Sequence, residues 1–317
     1  MKNPCLFLFI CIFASVLFSE DGPVYHVPIH GTIDMGLPHY IQRVVNEAEA
    51  NNASAIIFDI DTFGGRVDAA TQIKDIILDS KVTTIAFINK RAISAGALIS
   101  LSCDSIFMTP GASIGAATAV DLQGNKASEK VISYMREEMA STAEANNRSR
   151  DIATAMVDEE LSIDFLLNIQ GDTLTAKNVD GFAEGKLITL STHLAVQLGI
   201  AGGEFGSIEE VLKYLELEDA EQKDMEESWS EKLVRFLTNP VVAPLFMSLG
   251  MLGLFMEIKS PGFGVPGTVG LICLALFFGS HFLVGLADMT EVIFLLAGIA
   301  LILMEILVIP GFGVVGI

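Results

Sequence analysis

Ser94 opens the run Ser94-Ala95-Gly96-Ala97, shortly after the strand-like apolar segment Val82 to Ile88. A serine in the first turn of a helix sits among unpaired backbone N–H groups. Its hydroxyl there is either a nucleophile or a plain N-cap. Upstream, Asp61-Thr62-Phe63-Gly64-Gly65-Arg66 joins an apolar strand to a helix. Paired glycines in such a junction take positive φ and can turn N–H groups into a cleft, or they make an ordinary turn. A hydroxyl with backbone donors nearby is the beginning of an acyl-transfer site, and such a site also needs a base. The histidines are His26, His30, His39, His193 and His281, and His193 reads as a surface or capping residue. Two lysines, Lys126 and Lys130, lie at the start of a helical stretch from about Ala127 to Asn147. Lys130 stands within the amphipathic pattern of Val131, Tyr134, Met135 and Met139 and is the choice for a base. A lysine accepts a proton only where burial lowers its pKa; otherwise it is a solvated helix residue. Arg136 cannot substitute, because arginine does not deprotonate.

These residues need elements to hold them. Tyr25 to Ile29 reads as a strand and Gly31-Thr32-Ile33 as a turn, before a helix from Leu37 to Asn51 with Ile41, Val44, Val45 and Ala48 on one face. Ala55 to Ile60 has the unbroken apolar character of a buried parallel strand. A helix from Val67 to Ser80, the strand Val82 to Ile88, a small-residue helix Ser94 to Ser102 and a short strand Ser105 to Met108 follow. Strands alternating with helices specify an α/β domain with mainly parallel pairing.

The charge divides the chain. Hydrophobic residues are 51% and charged residues 18% of 317, yet the net charge is −20 and mean hydropathy is +0.53. Glu20 to Asn239 holds 35 acidic and 17 basic residues, whereas Pro240 to Ile317 contains only Lys259, Glu257, Asp288, Glu291 and Glu305. The acidic part has no basic cluster, which excludes a nucleic-acid surface. Cys103 is the one cysteine of that part, so there is no disulfide framework and no metal-ligand spacing. No metal or organic cofactor is indicated.

Both ends are apolar. Residues 1–19, with Lys2 and the run Leu6 to Phe18, read as a signal peptide or anchor, so the domain after it is exported. Val241 to Ile258, Val265 to Ala287 and Val292 to Ile309 read as three spans. Lys259, between the first two, marks the inner side. Met256-Glu257-Ile258 with Pro261-Gly262-Phe263-Gly264-Val265 recurs as Met304-Glu305-Ile306 with Pro310-Gly311-Phe312-Gly313-Val314. Glu257 and Glu305 then make either interfacial polar contacts or an ion path, and the contact reading is preferred. Glu216 to Glu227 reads as a solvated linker, and Trp229, Lys232, Leu233, Arg235 and Phe236 as an amphipathic stretch at the membrane surface.

Four segments carry a family resemblance. Asp61 to Gly65 resembles the Ser-Pro-Gly-Gly loop of the Clp protease/crotonase fold, and Ser94-Ala95-Gly96 its nucleophile turn. Met108 to Gly115 and Leu190 to Ile200 resemble the segment after the next strand and a late helix of that fold. With the signal and the C-terminal spans, the chain resembles the NfeD-like membrane-bound serine proteases. The resemblance implies a Clp protease/crotonase-like ββα-repeat domain over residues 20–215. An acidic linker and interfacial segment follow over 216–239, then an α-helical transmembrane region over 240–317, without the small OB-fold barrel of longer members. It implies a Ser-Lys endopeptidase with Ser94 as nucleophile, Lys130 as base, and the Gly65 and Ala95 N–H groups as oxyanion donors. No histidine falls where Clp enzymes place theirs, so a Ser-His-Asp triad is disfavoured. The family lysine position aligns nearer Ala140 than Lys130, which keeps a second reading open: a catalytically silent scaffold. The implied substrate or partner is a stomatin/prohibitin/flotillin-type membrane protein. A homo-oligomer and a multi-pass protein with its protease domain outside the cytoplasm are also implied.

Overall fold

In the computed structural model, residues 22–301 are described apart from 121–123, 176, 180–181, 259–263, 288, 291–292, 295 and 299. The elements in order begin β1 (Val24–Ile33), α1 (Leu37–Ala50), β2 (Ala55–Gly65), α2 (Val67–Leu78), β3 (Thr84–Ile93) and α3 (Ala95–Ser102). Next come β4 (Ser105–Met108), β5 (Ser113–Gly115), α4 (Glu129–Ala145), α5 (Arg150–Ala155), β6 (Leu166–Leu167) and β7 (Thr173–Leu174). Then follow β8 (Thr189–Ser191), α6 (Thr192–Gln197), β9 (Gly203–Glu204), α7 (Ile208–Tyr214) and β10 (Gln222–Asp224). The chain continues through α8 (Trp229–Thr238), α9 (Ala243–Ile258) and α10 (Val265–Leu283).

The main sheet runs β10-β1-β2-β3-β4-β9, with β5 beside the far end of β3 and β8 beside β5. Its pairs are parallel except β5–β8. Both faces of its strands are covered. Tyr25, Val27, Ile29, Ile56, Phe58, Ile60, Ala86 and Ile88 face the helical core, while Val24, Ala55, Ile57, Ile85 and Phe87 face Val211 and Leu212 of α7. This two-sided burial explains the unbroken apolar strands.

The first three strands are longer than the apolar runs suggest. Gly31-Thr32-Ile33 is not a turn but the end of β1, paired with Gly64 and Gly65 across a register shift. Asp61 to Gly65 likewise belongs to β2. The shift at Ile60/Asp61 and the change of partner of β3, from β4 to β5, bend the strand ends away from the main sheet. The acidic segment is also more than a linker. Ala220 is buried, Gln222 to Asp224 pair with Val24 to His26, and Tyr40 Oη donates to Met225 O at 2.9 Å.

At this edge His26 Nδ1 lies 2.9 Å from Asp224 Oδ1 and its Nε2 3.8 Å from Asp59 Oδ2; His30 Nε2 is 3.0 Å from the same Asp59 oxygen. The Asp59 carboxylate, joined by Asp224, holds His26 above its usual 6.5 against the opposing effect of burial. Burial pushes Asp59 up, but His26 and His30 outweigh it and leave the carboxyl below its usual range.

The C-terminal helices form a hairpin. Cβ atoms at Gly253 and Gly270 would fall 2.6 Å from Pro266 O and 2.9 Å from Gly250 O, so these glycines permit backbone contact between α9 and α10. Glu257, at the end of α9, is buried and accepts from the N–H groups of Gly264 and, at 2.7 Å, Gly267. Its carboxylate thereby caps α10. Val284, just past α10, reaches the main core of the α/β domain, so the hairpin returns to the side it left. Of the three expected spans, α10 is long and apolar enough to cross a bilayer, and α9 joins α8 at a 74° bend. The signal, most of the third span and Glu305 lie outside the described residues.

His26 gives the edge a pH dependence. A histidine held above its unfolded value stabilises the fold below that value, and the gain is lost as pH rises through the folded pKa. Thermal unfolding of the full chain in detergent is therefore expected to show wild type more stable than His26→Gln below pH 6.5. The difference shrinks as pH rises above that value; a constant difference would contradict the assignment.

Candidate active site

Ser94 ends β3 and starts α3 with φ 56° and ψ −120°, a conformation that non-glycine residues rarely adopt. Its own N–H donates to Gly115 O at 3.0 Å, while its carbonyl accepts from Ala97 N–H at 2.9 Å. The chain thus enters from one sheet and leaves as a helix within one residue. That geometry pushes the side chain out at the turn, as in a nucleophile elbow. All eight residues of α3 are buried, and Ala95, Gly96 and Ala97 are the small ones that lie nearest the bend.

Gly64 lies against this turn. A Cβ there would sit 2.6 Å from Ser94 Cβ and 3.0 Å from Ser94 Oγ, and its φ is +105°. Thr62 shapes the approach: Gly64 N–H donates to Thr62 Oγ1 at 2.8 Å, and Thr62 Oγ1 donates to Gly31 O at 2.5 Å. The Thr62 methyl fills the space a side chain on Gly96 would need, 2.4 Å from its Cβ position. Gly65 is paired with Ile33, and Arg66 N–H donates to Ile33 O at 2.8 Å. In this parallel register the N–H of Gly65 itself points away from β1. Ala95 is the first residue of α3, where helix N–H groups have no intrahelical acceptor. Ser94, the Gly64-Gly65 pair and Ala95 therefore converge at the bent ends of β2 and β3.

Lys130 lies in the first turn of α4 and is exposed. One turn later on the same face, Tyr134 lines a cavity of about 480 Å³ with Arg66, Val67, Asp68 and Thr71. That cavity begins directly after Gly65. Arg66 is paired with Asp68 through contacts of 2.9 and 2.5 Å and holds the Asp68 carboxyl below its usual range. Lys126 is engaged by Glu159 at 3.3 Å. Arg136 pairs with Asp158 and Glu129, and His193 is exposed on α6. Gly64 is one of the paired glycines that the sequence marks, whereas Thr62 and Gly115 are site residues to which the sequence assigns no role of their own. Their signal is a hydroxyl two residues before a glycine, and a glycine where a neighbouring backbone approaches.

Residues 23–225 match the NfeD1b N-terminal domain, and residues 241–317 the NfeD integral membrane domain. The chain is 40% identical over 299 residues to the membrane protein NfeD1b of Bacillus subtilis (strain 168), covering 94% of this chain and 65% of that protein. It is 28% identical over 288 residues to the membrane-bound protease PH1510 of Pyrococcus horikoshii, covering 87% and 62%. It thus spans a little under two thirds of the length of these relatives. Among solved structures it is similar to a lysine-to-alanine variant of the 1510-N membrane-bound stomatin-specific protease in complex with a substrate peptide. That match has 25% identity and TM-score 0.56, and covers 69% of this chain and 99% of the other. It is also similar to the 1510-N membrane protease specific for a stomatin homolog from Pyrococcus horikoshii, with 25% identity, TM-score 0.50, and coverage of 69% and 100%. The α/β domain therefore shares the fold of the 1510-N protease domain.

The tight contact of Gly64 with Ser94 sets an expectation for stability. Gly64→Ala adds overlap with Ser94 to the strain of a positive φ, whereas Gly111→Ala, at φ +80° with open space around it, adds only strain. Gly64→Ala is expected to destabilise by about 1–3 kcal/mol more than Gly111→Ala in thermal or denaturant unfolding. Equal losses would show that the two segments are not packed as described.

Proposed function

The chain belongs to the NfeD family, and on that premise we propose that it is a membrane-anchored serine endopeptidase using Ser94 and Lys130. The observation that carries the proposal is the Ser94 turn with Gly64 packed against it. In this reading a peptide lies across the bent strand ends with its scissile carbonyl between the Gly65 and Ala95 N–H groups. The Ser94 Oγ–C bond forms as the Ser94 proton passes to Lys130 Nζ, and the two N–H groups hold the oxyanion. Collapse breaks the C–N bond, and the leaving amine takes the proton back from Lys130. Water then hydrolyses the acyl-enzyme with Lys130 again as base.

Lys130 must be neutral to act, and it is exposed without substrate. The reading therefore requires the bound peptide to cover Lys130 and exclude water around it. An apolar peptide would do so. Phe63, Val120, Val131 and Tyr134 are exposed apolar side chains on the segments that flank the site. The name of the 1510-N relative points to a stomatin-type membrane protein as substrate or partner. Self-association belongs to the same reading. The exposure of Lys130 also favours the alternative of a catalytically silent scaffold that binds such proteins.

Cleavage of apolar peptides by the full chain separates these readings. Ser94→Ala is expected to lower the rate by on the order of a thousandfold or more, and Lys130→Ala comparably. Cleavage surviving Ser94→Ala would remove the proposal. Loss with Ser94→Ala alone, retained in Lys130→Ala, would move the base to Lys126 or elsewhere. Absence of cleavage by every form, with partner binding intact, would favour the scaffold.

A further inference from the structure

Helix α8 has two chemically distinct faces. On one, Arg235 Nε donates to Asp34 Oδ2 at 2.8 Å, and its Nη2 donates to Thr32 O at 3.0 Å. Glu231 on the same face takes a two-point contact from Arg43 of α1, Nε and Nη2 each at 2.9 Å. Paired hydrogen bonds of this kind fix orientation as well as position. The helix start is closed by a capping box between Ser228 and Glu231. The other face presents Trp229, Leu233 and Phe236, which are 78%, 41% and 55% exposed. Their spacing of four and then three residues makes one stripe. Lys232 beside them is exposed and 3.3 Å from Glu226.

The stripe is continuous with membrane helices. After Thr238 the chain turns by 74° into α9, whose Leu245, Leu249 and Leu252 are exposed apolar residues. Helix α9 packs against α10, which is long and apolar enough to cross a bilayer, so a helix at such an angle to this hairpin lies near the bilayer plane. The rear of α8 also meets α10, where Val234, Leu283 and Val284 line a common cavity of about 260 Å³. We infer that α8 is a lipid-docking face, lying in the bilayer interface with Trp229, Leu233 and Phe236 among the upper acyl chains and Lys232 at the phosphates. The domain is strongly acidic, so docking rests on apolar burial rather than attraction to anionic lipid, and phosphatidylcholine is a sufficient surface.

The clamp also sets the height of the site. Arg235 grips Thr32, Thr32 is paired with Gly64, and Gly64 touches Ser94. Neighbouring strands are about 4.8 Å apart. The Ser94 turn is thereby held beside the bilayer surface. If the site acts as proposed in the preceding subsection, its substrate class is a peptide segment lying at or emerging from the membrane.

Trp229 is the single tryptophan of the chain and reports on this directly. In full-length protein in phosphatidylcholine vesicles, acyl-chain-brominated lipid is expected to remove most of its emission, most strongly with bromine near the glycerol. Aqueous iodide is expected to remove little. A Trp229→Phe, Phe236→Trp variant is expected to show the same depth, because the helix lies flat. Seven residues of helix span about 10.5 Å, so a depth difference of that order would mean that α8 continues the α9 span. Strong iodide quenching without lipid quenching overturns the inference, as does shielding from both, which would mark a protein-covered face. Quenching needs no proteolysis. Docking without Ser94-dependent cleavage would leave this inference standing and remove the protease reading, and the converse result would do the opposite.

Discussion

The backbone at Ser94 is held at φ 56°, and the surrounding fold is organised to sustain that conformation. A positive φ outside the left-handed helical well costs a non-glycine residue about 1–3 kcal/mol. The bond from Ser94 N–H to Gly115 O fixes the entry, and burial of the whole of α3 fixes the exit. Both conditions require close backbone approach. Gly64 has no side chain because Ser94 occupies that space, and Gly96 has none because the Thr62 methyl does. Gly115, at φ +136°, would place a Cβ 2.4 Å from Ile188 O. Gly64 and Gly96 are thus explained by contacts at this turn, and Gly115 by the close approach of Ile188 beside it.

The same constraint reaches the membrane. The β1 end that pairs with Gly64 and Gly65 runs straight into Asp34, which carries the Arg235 clamp. Arg235 is not a surface cation facing lipid, as an amphipathic pattern suggests. It is 17% exposed and bonded to Asp34, Glu227 and Thr32. A charge so placed is costly to leave unpaired, so α8 and the domain are expected to move as one body. The acidic residues near β10 serve the same attachment. Glu226 and Glu227 sit between the edge strand and α8 and contact its lysine and arginine.

Much of the α/β core was legible because both faces of its strands are buried, which leaves runs such as Ala55 to Ile60 without polar interruption. The ends of those strands were not. Gly31 and Gly64 look like turn residues, and only the bend between strand segments, a tertiary feature, makes them strand residues. Strand β10 was hidden for another reason: Gln222 and Asp224 are exposed, so an edge position leaves no apolar signature. In the site, Ser94 was found through its place after a strand and before small residues. Thr62 was not singled out, because its role depends on the contact with Gly96. A base cannot be read from helix periodicity, which places Lys130 on the face of Tyr134 but says nothing of what covers it.

Glu257 shows how a polar residue is tolerated in an apolar hairpin. A carboxylate there would be costly if unsatisfied. Both of its oxygens are taken, one by Gly264 N–H and the other by Gly267 N–H, which are orphan donors at the start of α10. The helix dipole adds a favourable field at that end. Gly267 is needed for this contact, since a Cβ on it would fall 2.6 Å from Glu257 Cγ. An ion path requires a carboxylate free to exchange partners. Glu257 is instead committed to closing the turn between α9 and α10, and this favours the polar-contact reading of the repeated Met-Glu-Ile motif at its first occurrence.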